Sequence, residues 1–180
     1  AGDLWRAITR GAGAPPARAE ALAAMASALD EASDYERRYR LVDGIATLGD
    51  APALAQLSAF LRALPDGATS SALRQVVVRA IAATPRPEAI GLVLSLAGDP
   101  DPGVRLAVLG ALAGAETDAP GPWHTPDGPD GIDRVMIHAL ADGWPEVRRR
   151  AAASLGTRCQ RPGPARALGA TVANDAAIDV

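Results

Sequence analysis

Residues Glu88 to Ala115 read EAIGLVLSLAGDPDPGVRLAVLGALAGA, and Gly131 to Thr157 read GIDRVMIHALADGWPEVRRRAAASLGT. Laid over each other, both give an apolar helix, a turn containing aspartate, and a second helix opened by Val-Arg. Val104-Arg105 stands eight residues before Leu112, and Val147-Arg148 eight before Leu155. Going backwards, Leu73-Arg74 precedes Ile81 by the same eight, and Leu48-Gly49 closes an earlier unit with a weaker match at Arg40-Leu41. A partial copy opens at Pro164 and runs to Val180 as PARALGATVANDAAIDV. The anchors Leu48, Ile81, Leu112 and Leu155 are spaced 33, 31 and 43 apart, the long interval holding an insertion between Ala115 and Gly131. Two-helix units of this length cannot bury their apolar faces alone and must stack on neighbours.

The rest of the chain supports helices. Aromatic residues are only 3% of it, and Ala and Leu, the best helix formers, dominate. Helices are predicted near 3–10, 16–31, 34–48, 51–64, 69–83, 86–97, 102–114, 131–142, 145–158 and 163–173. Pro52, Pro87, Pro102 and Pro145 each fall in a first turn, where a missing N–H costs nothing, and Asp34, Asp50 and Asp101 are candidate caps. The expected fold is all-α, an α-α superhelix of about five hairpins forming a single domain over 1–180. Ile90, Val93, Leu109, Leu112, Val135, Ala139, Ala152 and Leu155 are its predicted core. Residues 116–130, rich in Pro and Gly, are expected to form an inserted loop without regular helix.

The turn Gly98-Asp99-Pro100-Asp101-Pro102-Gly103, the following Val104-Arg105 and the run to Leu112 resemble HEAT repeats, particularly the short bacterial kind seen in phycobilisome lyases. The resemblance covers about residues 40–180. It implies antiparallel helix pairs in a right-handed superhelix, usually a protein-binding scaffold. It also implies a ladder in which Arg74, Arg105 and Arg148, each following the apolar opener, pair with turn aspartates such as Asp99, Asp101 and Asp142. Arg40 does not fit that register.

Composition removes several function classes. With 18 basic and 21 acidic residues the net charge is -3, against the basic excess that duplex binding requires, so no nucleic-acid partner is expected. Every basic residue is Arg, which excludes lysine chemistry. The single cysteine, Cys159, cannot form an intrachain disulfide and leaves the compartment open. No stretch of 18 apolar residues is present, and a soluble chain, cytoplasmic rather than periplasmic, is expected. His124 and His138 are the two histidines; neither is followed by Glu, and no Cys cluster stands beside them, so no metal is expected. His138 falls outside the apolar stripe of its helix. There is no P-loop lysine and no Gly-x-Ser-x-Gly. No cofactor, no catalytic residue and no membrane insertion are expected.

What remains is surface. Trp123 and His124, in the insertion, and Arg149 and Arg150, on the helix after it, are the candidate partner-binding residues; an aromatic in a long loop is a natural contact anchor. Trp144, in a turn within a unit, is expected to pack or cap. Arg158, Arg161 and Arg166 are expected on a solvated surface. The function that fits is a non-catalytic scaffold whose partner is another protein. The resemblance also admits a bilin lyase-like subunit, or a DNA-alkylation glycosylase, which the charge balance opposes. The match of Ala173–Val180 to Ala97–Val104 leads to the expectation that the native protein continues with further repeats.

Overall fold

Among the described residues, consecutive helices are joined by short turns, and the turn chemistry explains why. The computed structural model describes residues 15–65, 67–113, 115 and 128–172. Within them run α1 (Pro15–Glu31), α2 (Tyr35–Leu48), α3 (Ala51–Ala63), α4 (Ala68–Ala83) and α5 (Pro87–Ser95). They continue with α6 (Pro102–Ala113), α7 (Gly128–Ala139), α8 (Pro145–Gly156) and α9 (Pro162–Val172). The helix expected at 3–10 lies outside the described residues.

Starts are held by carboxylates and prolines. Asp34 accepts from the Arg37 N–H at 2.8 Å, and Asp50 from Ala53 at 2.9 Å. Asp101 accepts from Gly103 at 2.7 Å. Each satisfies a backbone donor that the first helical turn cannot. Pro52, Pro87 and Pro145 occupy first-turn positions where no donor is lost. Helix α2 stops at Gly49, whose φ of 65° closes the C-terminus by donating to Ala46; a side chain there would be strained in the left-handed region.

Consecutive helices pair as hairpins: α1 with α2, α3 with α4, α5 with α6, α7 with α8, and α9 packs on both α7 and α8 as the beginning of a further unit. The described residues thus hold four hairpins and a half, with no strand among them. The two layers are unlike. The even helices α2, α4, α6 and α8 lie closely side by side from unit to unit, whereas the odd helices touch their odd neighbours little. Spacing that is tight on one side and loose on the other curves the stack, with the even layer inside.

One continuous apolar core runs through all units. Val104 and Val147, the residues before the repeat arginines, are fully buried, and Leu73 nearly so. The anchors Leu48, Ile81, Leu112 and Leu155 are buried as well. Of the predicted core, Ile90, Val93 and Leu109 are also buried, but Val135, Ala139 and Ala152 are only partly covered. The loose odd layer explains the first two, which lie on α7. Leu168 of α9 is partly buried against the core.

Element ends differ from expectation at the insertion. Helix α7 begins at Gly128, inside the segment expected to be a loop, and ends at Ala139 rather than 142. Pro129 falls in its first turn, so proline begins the helix instead of excluding it. Residues 116–127 lie outside the described residues.

Candidate protein-interaction surface

The turns within hairpins lie along one edge, tied together by arginines. From α6, Arg105 reaches Asp142 in the next unit's turn with two parallel bonds, Nε to Oδ2 at 2.7 Å and Nη2 to Oδ1 at 2.8 Å. Its third nitrogen, Nη1, donates to the carbonyls of its own turn, Asp99 at 2.7 Å and Pro100 at 3.1 Å. Arg74 of α4 repeats the forward bond to Asp99, and Arg148 of α8 repeats the backward one, donating to the Asp142 carbonyl at 2.9 Å. Each rung therefore uses one aspartate twice: its carboxylate receives the previous unit's arginine and its carbonyl receives its own. The same carboxylates organise the turn, with Asp99 accepting from the Asp101 N–H at 3.0 Å and Asp142 from the Trp144 N–H at 2.9 Å. Planar guanidinium and carboxylate match in two parallel bonds, which lysine does not reproduce.

Charge in the turns follows from these bonds. Burial pushes the Asp142 carboxyl up, but the bond from Arg105, the Trp144 N–H and the charges of Arg105 and Arg148 outweigh it, leaving it below the usual carboxylate value. The Asp101 carboxyl is lowered chiefly by the Ser71 hydroxyl, helped by the N–H groups of Gly103 and Val104 and the Arg74 charge. Asp101 is thus the cap of α6 and a neighbour of the ladder.

Trp144 stands in the register of Asp101 one repeat later: DPDPGVR in the first copy is DGWPEVR in the second. No side chain caps α8 in its place. The indole does not pack either, since Trp144 is 55% exposed, more than any other large hydrophobic described. The expectation that its side chain packs or caps is corrected: only its backbone is used, the N–H donating to Asp142 and the carbonyl accepting from the N–H groups of Val147 and Arg148. Tyr35 and Tyr39, a turn apart on α2, are also exposed.

Arg149 and Arg150 are exposed on α8. Arg149 lies 3.9 Å from Glu146, a loose exposed pair. Arg150 reaches back over α6, where its guanidinium covers Gly110; a β-carbon there would come within 3.1 Å of it. Both residues belong to the even layer. Trp123 and His124 lie outside the described residues, so their placement relative to the two arginines is not described.

At the opposite edge, Arg158 and Arg161 are not the solvated residues expected. Arg158 donates to the carbonyls of Leu112 at 3.2 Å and Ala115 at 3.1 Å, covering the C-terminus of α6, and lies 3.5 Å from Asp133 of α7. Arg161 bonds the other oxygen of Asp133 at 3.0 Å. Side chains of Arg158 and Asp133 are 9% and 8% exposed. A cation at a helix C-terminus is favoured by the macrodipole and by the bare carbonyls. This clamp joins both roots of the insertion. Periodicity could not find it, because Thr84 and Ala115 stand three residues after the earlier anchors, where Arg158 follows Leu155.

The loose odd layer leaves clefts between units. One, of about 450 Å³, opens between α5 and α7, with Ala97, Val108, Val135 and Ala139 among its walls. Arg134 and His138, both exposed on α7, stand among its lining, and the Arg105–Asp142 rung closes one end. Others lie between α1 and α3, beside Arg18 and Gln56, and between α7 and α9, beside Asp133 and Arg161. Among the described residues no three His, Cys, Asp or Glu side chains group to hold a metal, and no helix is long and apolar enough to cross a membrane. Cys159 is exposed.

No curated protein matches this chain. The family described as HEAT repeats matches residues 59–156, more than half of the chain, from α3 to the end of α8. HEAT repeats generally act as protein-interaction scaffolds. The matched span contains the bonded rungs Arg74–Asp99 and Arg105–Asp142 and the buried residues that open and close each unit, and the chain belongs to the HEAT-repeat family.

Proposed function

We propose that this chain is a non-catalytic scaffold that binds another protein, with Trp144 on its turn edge and Arg149 and Arg150 on its even layer as contact residues, and Trp123 and His124 of the insertion joining them. The observation that carries this reading is Trp144. Where the preceding repeat has a carboxylate that caps its helix, this one has an indole that caps nothing and is more than half in water. Giving up an N-cap forfeits about 1 kcal/mol, and an exposed indole adds no burial to offset that. Local rules broken without a local gain mark functional positions, and tryptophan is the residue most enriched among binding hot spots.

The test is partner capture with a folded variant. Tagged wild type, W144A and R149E/R150E are expressed in the native host and purified, and co-purifying proteins are quantified. Proteins enriched with wild type and depleted at least about tenfold with W144A, at unchanged melting temperature, are the expected result. A wild type that enriches nothing over an empty tag, or partners indifferent to both variants, would overturn the assignment.

A further inference from the structure

We infer that the inner face of the array, where Arg79 of α4 and Arg150 of α8 flank α6, docks an acidic segment of a partner protein, its carboxylates on the two arginines and its small apolar side chains on the floor between them. The inference rests on the scaffold reading and gives it a face and a chemistry. Charge in this chain is segregated. The net charge is -3, yet the even helices α4, α6 and α8 carry six arginines and a single acid, Glu146. Arg74, Arg105 and Arg148 are engaged in the turn ladder, and Arg149 lies beside Glu146. Arg79 and Arg150 differ from these four. Both are exposed, and neither side chain makes a hydrogen bond or an ion pair among the described residues. On the next even helix, Asp43 of α2 is exposed and is not bonded to Arg79.

Arg150 also departs from the repeat. Three residues after the opener, α4 and α6 have the buried Val76 and Ala107, whereas α8 has this exposed arginine. Its guanidinium turns back onto α6 at Gly110, where a β-carbon would stand 3.1 Å from Nη2, closer than ordinary contact. Glycine inside a helix weakens it relative to alanine, and here it leaves room for the guanidinium. Two positions that each break a local rule thus meet at one point, as functional positions do. Gly110 stands six residues after its opener, and in α4 that register position is Arg79. The two cations therefore belong to the two even neighbours of α6, on either side of it. On α6 itself, Leu106, Gly110 and Ala113 recur at helical spacing and are only partly buried. They make a narrow apolar floor with no acid on it. Cations around such a floor attract carboxylates and repel other cations, and guanidinium matches carboxylate in two parallel bonds. A nucleic-acid duplex calls for more cations than two, whereas peptide carboxylates with apolar neighbours match both the charge and the floor.

The probe is an octapeptide of alternating glutamate and alanine, with glutamine-for-glutamate and lysine-for-glutamate counterparts, titrated into the full chain uniformly labelled with nitrogen-15. Expected with the acidic peptide are amide shifts at Leu106, Gly110 and Ala113 and side-chain Nε shifts of Arg79 and Arg150, all diminished by added salt. Binding should be about tenfold weaker in R79E and in R150E. R62E makes the same change of charge at an exposed position of the odd helix α3 and should bind as wild type. All three positions are exposed, so melting temperatures should stay close to wild type. Equal response to the glutamine peptide, retention of binding by either R79E or R150E, or an equal loss in R62E would overturn the inference. A short DNA duplex bound at the same residues more tightly than the peptide would assign the face to nucleic acid and overturn it as well. No shift with any peptide would also end the proposal, and the capture experiment with W144A would still decide the scaffold reading.

Discussion

Arg105 and Asp142 meet through two parallel hydrogen bonds, 2.7 and 2.8 Å, although 37 residues separate them in the chain. Both side chains are largely buried, at 15% and 11% exposure. Removing one partner leaves the other charge covered and unmatched, a loss of about 3–5 kcal/mol for a buried pair. R105A and D142A are each expected to fall in that range by urea unfolding. R105K should recover only part, since an ammonium cannot make the parallel pair. A loss below about 1 kcal/mol for R105A would place this rung among ordinary surface pairs.

Acid should weaken the fold through the same turns. The Asp142 and Asp101 carboxyls are both lowered in the folded chain. A depressed folded value gives stability that is fully present above the unfolded value, about 3.9 for Asp, and disappears as pH falls through the folded one. Stability is thus expected to be insensitive to these groups near neutrality and to drop as pH falls below about 4. D142N should start lower and show a shallower acid limb. Parallel limbs for wild type and D142N would remove Asp142 from the account.

Asp133 between Arg158 and Arg161 predicts an asymmetric pair of variants. R158A strips a nearly buried cation from Asp133 and from the carbonyls of Leu112 and Ala115, and about 3–5 kcal/mol is expected. R161A, one-quarter exposed, should cost less. Hydrogen exchange should show protection falling together at the end of α6, in α7 and in α9 for R158A. Protection lost in α9 alone would mean that the clamp does not join the units.

Replacing Trp144 by Asp reinstates the residue that the preceding repeat uses. Asp101 accepts the Gly103 N–H, and an aspartate at 144 would accept that of Glu146. W144D is expected to gain about 0.5–2 kcal/mol while losing the partner contact. A variant that is no more stable than wild type would refute the idea that this turn trades its cap for surface.

The fold was legible because its signals recur. Val104 and Val147 are both fully buried, their following arginines both bind turn carbonyls, and the eight-residue step to Leu112 and Leu155 keeps opener and anchor on the core side. Anything occurring once was harder to read. Arg158 has no counterpart in earlier units, so it looked like surface, and its carbonyl partners carry no side-chain signature. Trp144 departs from expectation for the opposite reason: a large apolar residue in a turn is ordinarily packed, and only alignment with Asp101 reveals what the position would otherwise do. The cleft rim at Arg134 and His138 depends on how far α5 stands from α7, which periodicity does not encode.

The unequal layers give the array the mechanics of a leaf spring. Even helices in close contact form a nearly inextensible inner strip, while the odd side, held by fewer contacts and interrupted by clefts, yields first. Tension between the ends should straighten the array by closing the clefts of the outer, odd side rather than by melting helices. Anything wedged between α5 and α7 resists that straightening, so occupancy there sets the distance between whatever is held at the two ends.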